Sequence, residues 1–221
     1  MTHLPDQMVN RWENRTEPRP GSGILYWHIL LGDQPQVQAL TSKARNKLTK
    51  FTGLHFTPER WLHITTLVVG PAENLTPDQI ADMTDHARGL LVNLPSTKIT
   101  LRKILYHSEA ITIKVEPAGA LDPIRESVRC ATHNATGITT LAQRQPWVPH
   151  ITLAYSTTTQ SASPIIAALG DTFPACEANI DSIALIDQRG AERLWSWHSL
   201  TTIPLATDTI HSRTPSSPGY S

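Results

Sequence analysis

Two short stretches hold the residues of this chain that could do chemistry together. His63-Ile64-Thr65 lies in the run Trp61 to Val69, and His150-Ile151-Thr152 opens the run Pro149 to Tyr155, 87 positions further on. In a β-strand side chains alternate faces. A His and a Thr two apart therefore point the same way, about 6.6 Å apart along the strand. Two such strands brought together present two imidazoles and two hydroxyls to one cleft. Imidazole titrates near neutral pH, so one ring can take a proton from a nucleophile while the other gives one to a leaving oxygen. The hydroxyls of Thr65 and Thr152 can hydrogen-bond the non-bridging oxygens between them. That is acid–base chemistry on a phosphate. The sequence shows no carboxylate cluster and no His/Cys spacing suited to a metal, so no metal and no cofactor are expected.

The spelling alone carries little weight. With ten histidines and abundant Thr and Ser, about two His-x-Thr/Ser matches arise from composition alone, and three occur. The third, His55-Phe56-Thr57, runs into Pro58 with no apolar run after it and reads as a loop. The other two lie in apolar runs, follow a Trp-bearing lead-in (Trp61, Trp147) and hold matching places in the order of elements.

Those elements follow from periodicity. Ile24 to Leu31 reads as a buried strand with Tyr26 and His28 on one face. Residues 35–50 have helical spacing. Residues 52–60 read as a loop, and the first His strand follows. Thr76-Pro77 reads as a helix start, the helix reaching Leu91. Lys98 to Tyr106 and Ala110 to Glu116 form a hairpin. Residues 119–135 are helical, closed near Gly137. A loop containing Arg144 leads into the second His strand. A short helix ends at Leu169, and Ile180 to Asp187 and Leu194 to Pro204 are strands around a Gln188-Arg189-Gly190 turn. The order is close to one unit used twice, which predicts two α+β lobes with a cleft between them. Residues 1–22 read as a flexible N-terminal tail, 23–205 as one bilobal domain, and 206–221 as a disordered C-terminal tail.

The 221 residues carry 19 Lys plus Arg against 19 Asp plus Glu, a formal charge of zero. A protein coating long nucleic acid needs a basic surface, so that class is excluded. A nucleotide or an RNA end, which needs only a few local cations, is not. Cys130 and Cys176 read as separate thiols in a reducing compartment. The first residues do not show a charged-then-apolar signal pattern, and no apolar run nears the length of a membrane span. A soluble cytoplasmic monomer without membrane contact is expected.

Thr57 to Gly70 and Pro149 to Tyr155 resemble the two motif regions of the two-histidine (2H) phosphoesterase superfamily, which includes the 2′-5′ RNA ligase-like cyclic phosphodiesterases. The resemblance covers about residues 23–205 and departs at Thr66. It implies antiparallel sheets lining a central cleft with helices outside. It also implies a phosphodiesterase acting on 2′,3′-cyclic phosphates or 2′-5′ linkages of nucleotides or RNA ends, with His63 and His150 as acid and base. The other site candidates are substrate contacts: Tyr26, His28, Trp61, Arg144, Tyr155 and Gln188. By alternation Trp61 shares the His63 face and Tyr155 falls opposite His150. Lys103 and His198 are weaker candidates, and Trp195 and Trp197 read as packing. The alternatives are a nuclease for oligonucleotide signals, RNA ligation, and a non-catalytic module that binds nucleotides or RNA ends.

Overall fold

The computed structural model describes residues 4–13, 15–19, 21–138 and 147–206. In chain order the elements are β1 (Gln7–Met8), β2 (Gly23–Leu30), α1 (Pro35–Leu48), β3 (Leu54–Phe56), β4 (His63–Pro71), α2 (Pro77–Leu91), β5 (Thr97–Tyr106), β6 (Ala110–Glu116), α3 (Asp122–Thr136), β7 (His150–Ser156), β8 (Gln160–Ser161), α4 (Ser163–Leu169), β9 (Thr172–Ile180), β10 (Ser182–Arg189) and β11 (Trp197–Pro204). Of the two larger sheets, one has the order β11-β10-β2-β4 and the other β3-β7-β6-β5-β9, with every named pairing antiparallel. Each sheet carries one His strand, and β4 and β7 lie close across the junction. This is the α+β, two-lobed, pseudo-symmetric fold that the order of elements predicts.

Each sheet buries its outer face under helices. Helices α2 and α3 cover β4 and β11, while α1 and α4 pack together over β7 and β9. On β2 the alternation is strict: Leu25, Trp27 and Ile29 are buried against the helices. Trp27 Nε1–H donates to Thr132 Oγ1 of α3 at 3.1 Å, which satisfies its one polar atom inside the core. Tyr26 and His28 therefore face the other way, into the space between the sheets. Local signals set the helix ends. Thr76 and Gln79 form a reciprocal capping box at the start of α2. Gly137 closes α3 at φ 70°, a left-handed geometry that glycine adopts without strain.

Several elements differ from the sequence reading. Residues 52–60 are not all loop, since β3 pairs with β7. Strand β9 lies where none is expected and forms the edge of its sheet, the position that tolerates Pro174. Residues 4–13 are no loose tail. Strand β1 pairs with β8, Met8 is fully buried, and Arg11 and Trp12 reach the cleft. Residues 207–221, read as a disordered tail, lie outside the described residues. Among the described residues no helix is long and apolar enough to cross a membrane.

Candidate active site

His63 and His150 start β4 and β7, and both line one cleft of about 540 Å³ between the sheets, together with Thr65 and Thr152. The two motifs are built alike. His63 Nδ1 lies 2.7 Å from the carbonyl oxygen of Trp61, and His150 Nδ1 lies 2.7 Å from that of Val148. A carbonyl only accepts, so Nδ1 carries the hydrogen in both rings. Nε2 is then the nitrogen whose proton can come and go. Neither Nε2 has a hydrogen-bond partner among the described residues.

The strands also share one bulge, and β4 has a second at Val69. Opposite β2, Leu67 pairs with Trp27 and Thr65 with His28, so Thr66 is an extra residue. Opposite β6, Ala154 pairs with Ile111 and Thr152 with Thr112, so Leu153 is the extra residue, at the matching place. A bulge shifts the alternation by one. This corrects the reading of Tyr155: it stands on the His150 face, in the cleft, and its counterpart in the other lobe is Val68. It explains Thr66 as well, a buried bulge residue whose hydroxyl has no partner among the described residues.

The electrostatics of the cleft favour uncharged rings. Burial pulls His63 down to about 4. The Trp61 hydrogen bond opposes this, and a proton on His150 adds to it. Burial also lowers His150, with the charges of His107 and Arg11 adding to the effect. One wall is an ion-paired network. Arg11 grips Glu192 with two bonds (Nε to Oε2 2.8 Å, Nη2 to Oε1 2.7 Å) and reaches Glu109 at 3.3 Å. Its guanidinium lies 4.1 Å from the Tyr155 ring centroid. Burial would raise the Glu192 carboxyl, but Arg11 outweighs it and holds the group below its ordinary value. Burial, with Glu192 nearby, pushes Tyr155 up to about 12. Trp195 stacks on Tyr155 at 5.9 Å and 16°. Among the described residues no group of three or more His, Cys, Asp or Glu is placed to hold a metal ion.

Of the substrate-contact candidates, Tyr26, His28, Tyr155 and Gln188 line the cleft. Trp61 does not. It lies in a 3-10 turn rather than a strand, so alternation from His63 does not extend back to it, and it packs on Trp197 at 4.4 Å. Arg144 lies outside the described residues. Lys103 and His198 are exposed and off the cleft wall. Trp197 packs as expected, whereas Trp195 reaches the cleft through a left-handed backbone (φ 50°). The sequence reading missed Arg11, Trp12 and Glu192. Nothing in the spacing near Glu192 marks it. For Arg11 and Trp12 the one available signal is the apolar pair Met8-Val9 just before them.

Paired histidines on facing strands of a two-lobed antiparallel fold define a 2H phosphoesterase architecture. The family model of the 2′-5′ RNA ligase superfamily matches residues 33–192, and the chain belongs to that superfamily. The fold is similar to TT0787 of Thermus thermophilus (TM-score 0.62, 19% identity, 84% of this chain and 99% of that one). It is also similar to E. coli LigT in its apo form (TM-score 0.60, 14% identity, 84% and 98%). LigT complexed with 3′-AMP gives a TM-score of 0.60 at 15% identity, covering 83% of this chain and 98% of that one. At such identities the likeness is one of fold. No curated protein matches the chain.

Proposed function

We propose that this protein is a metal-independent phosphodiesterase that opens 2′,3′-cyclic phosphates, or cleaves 2′-5′ linkages, of nucleotides or RNA ends. The observation that carries the reading is the matched anchoring of His63 and His150. Both rings are fixed through Nδ1 to the carbonyl two residues earlier, and both Nε2 atoms are left for proton transfer. One neutral Nε2 takes the proton of the attacking water as its oxygen bonds to phosphorus. The bond from phosphorus to the ribose oxygen breaks, and that oxygen takes the proton from the other ring. Thr65 and Thr152 hydrogen-bond the non-bridging oxygens, where charge builds. The bound anion raises the proton affinity of the rings it touches, which supplies the protonated partner. That LigT has been solved with 3′-AMP, ATP, NADP+ and phosphate supports a nucleotide as substrate.

The test is product analysis of the purified protein, with EDTA present, on a panel of 2′,3′-cyclic nucleotides, 3′,5′-cyclic nucleotides and 2′-5′-linked oligonucleotides. Turnover of the first or third group is expected. Tight binding of all three with no product after long incubation would make the protein a binding module instead.

A further inference from the structure

A third histidine stands behind the pair. His28 is 1% exposed and sits directly across the β2–β4 ladder from Thr65. Its Nε2 is 3.2 Å from Thr65 Oγ1. Its ring stacks on His63 with centroids 4.2 Å apart and planes at 20°. Its Nδ1 is buried and has no hydrogen-bond partner among the described residues. Two placements of the hydrogens fit these contacts. In the first, Nδ1 carries the hydrogen and Nε2 accepts from Thr65. That strands a buried N–H donor, the rarer kind of orphan. It also uses up the Thr65 hydrogen and turns the hydroxyl lone pairs toward the cleft. In the second, Nε2–H donates to Thr65 Oγ1 and Nδ1 is a bare nitrogen. The Thr65 hydrogen is then free to point into the cleft, where an anion needs a donor.

We infer that His28 is a positioning residue: its Nε2–H holds the Thr65 hydroxyl so that Thr65 donates to a phosphate oxygen. The inference rests on the phosphate reading of the cleft. The other lobe is built differently: the group beside Thr152 is the Tyr155 hydroxyl and not a histidine ring. The residue across from Thr152 is Thr112, and its hydroxyl has no partner among the described residues. The two threonines are thus unequal, Thr65 being aimed before the substrate arrives. The cleft also holds opposed tautomers, Nδ1–H in His63 and His150 and Nε2–H in His28.

Nitrogen-15 correlation spectra of the histidine rings in the full chain read the tautomers directly. An Nε2–H form is expected for His28, with its resonance shifted in Thr65→Val and that of His150 unmoved. An Nδ1–H form at His28 overturns the inference, and this arm needs no variant of His28 that folds. Titration with inorganic phosphate is the second arm. His28→Phe keeps the stacked ring and is expected to bind about tenfold more weakly, the equivalent of about 1.4 kcal/mol and one aimed hydrogen bond. His28→Gln, which can still donate, is expected to recover most of that loss. The double variant His28→Phe/Thr65→Val should bind no more weakly than Thr65→Val alone. Losses that add in full overturn the inference, as does a wild-type protein that does not bind phosphate. If turnover needs His63 and His150 while His28→Phe binds phosphate normally, the positioning role fails and the proposed function stands. If the tautomer and the double variant behave as expected but no substrate is turned over, the function fails and the positioning role stands.

Discussion

His63 and His150 are held by one contact made twice: in each, Nδ1 lies 2.7 Å from the carbonyl oxygen two residues earlier. The contact separates two jobs within a ring, since Nδ1 fixes the orientation and Nε2 is left to exchange protons. His63→Ala and His150→Ala are each expected to lower kcat by about 10²–10⁴-fold, the usual worth of one positioned proton transfer. The double variant should fall little further, because the two groups act as a unit. His63→Asn retains a donor for the Trp61 carbonyl and lacks Nε2, so it should fold normally and still lose turnover. Steady-state kinetics beside thermal melts check both statements.

The depressed histidines make stability depend on pH. His63 titrates near 4 in the folded chain against 6.5 as its ordinary value, and burial lowers His150 and His28 as well. Between those values the unfolded chain binds more protons than the folded one, so stability rises with pH. The contribution is complete above 6.5 and is lost as pH falls from there through about 4. Glu192, held low by Arg11 against its burial, acts in the same direction at lower pH. Urea melts at pH 7 and pH 4.5 should differ by on the order of 2 kcal/mol from His63 alone. His63→Asn should flatten the slope.

Arg11 ties the N-terminal stretch to the cleft wall. Its side chain is 16% exposed and that of Glu192 is 34%. Arg11→Ala leaves a largely desolvated carboxylate without its two-pronged partner and uncovers the Tyr155 ring. A loss of about 1–3 kcal/mol is expected, less than for a fully buried pair because water reaches Glu192. In a double-mutant cycle, Glu192→Gln should recover part of that loss in the Arg11→Ala background. Thermal melts of the four proteins measure it.

The parts of the site legible in the sequence lie within two residues of each His, where alternation holds before anything interrupts it. Thr65 and Thr152 come out on the right face for that reason. Tyr155 does not, because Leu153 is an extra residue in the pairing of β7 with β6. A bulge is a property of two strands together and leaves no mark on one of them. Strand β1 is two residues long, too short to show alternation, and exists because β8 offers it an edge. Strand β9 buries Phe173, Ala178 and Ile180 at uneven intervals, and its register with β5 slips near Leu101. The helices are legible because apolar spacing is a local signal, as are the Thr76-Pro77 start of α2 and the Gly137 stop of α3. The Arg11–Glu192 pair joins residues 181 positions apart, and only the fold brings them together.

Gly32 offers a way to disturb His63 without touching the cleft. A Cβ added there would lie 2.3 Å from the carbonyl oxygen of Arg60, 2.6 Å from its carbon and 2.9 Å from its Cα. All three are backbone atoms, so no flexible side chain can give way. Either the Gly32 backbone or the turn Glu59–Trp61 must shift, and the last carbonyl of that turn is the one that holds His63 Nδ1. Gly32→Ala is therefore expected to lower kcat about tenfold or more, a modest displacement of a reacting group being costly. Gly89 is the control. It lies exposed in α2 with nothing within 4 Å of a new Cβ. Gly89→Ala should leave kcat unchanged and add about 0.5–1 kcal/mol of stability through helix propensity. Kinetics and urea melts of the two variants side by side distinguish a displaced His63 from a general response to added bulk. Equal kcat in both would show that the turn yields without carrying His63 with it.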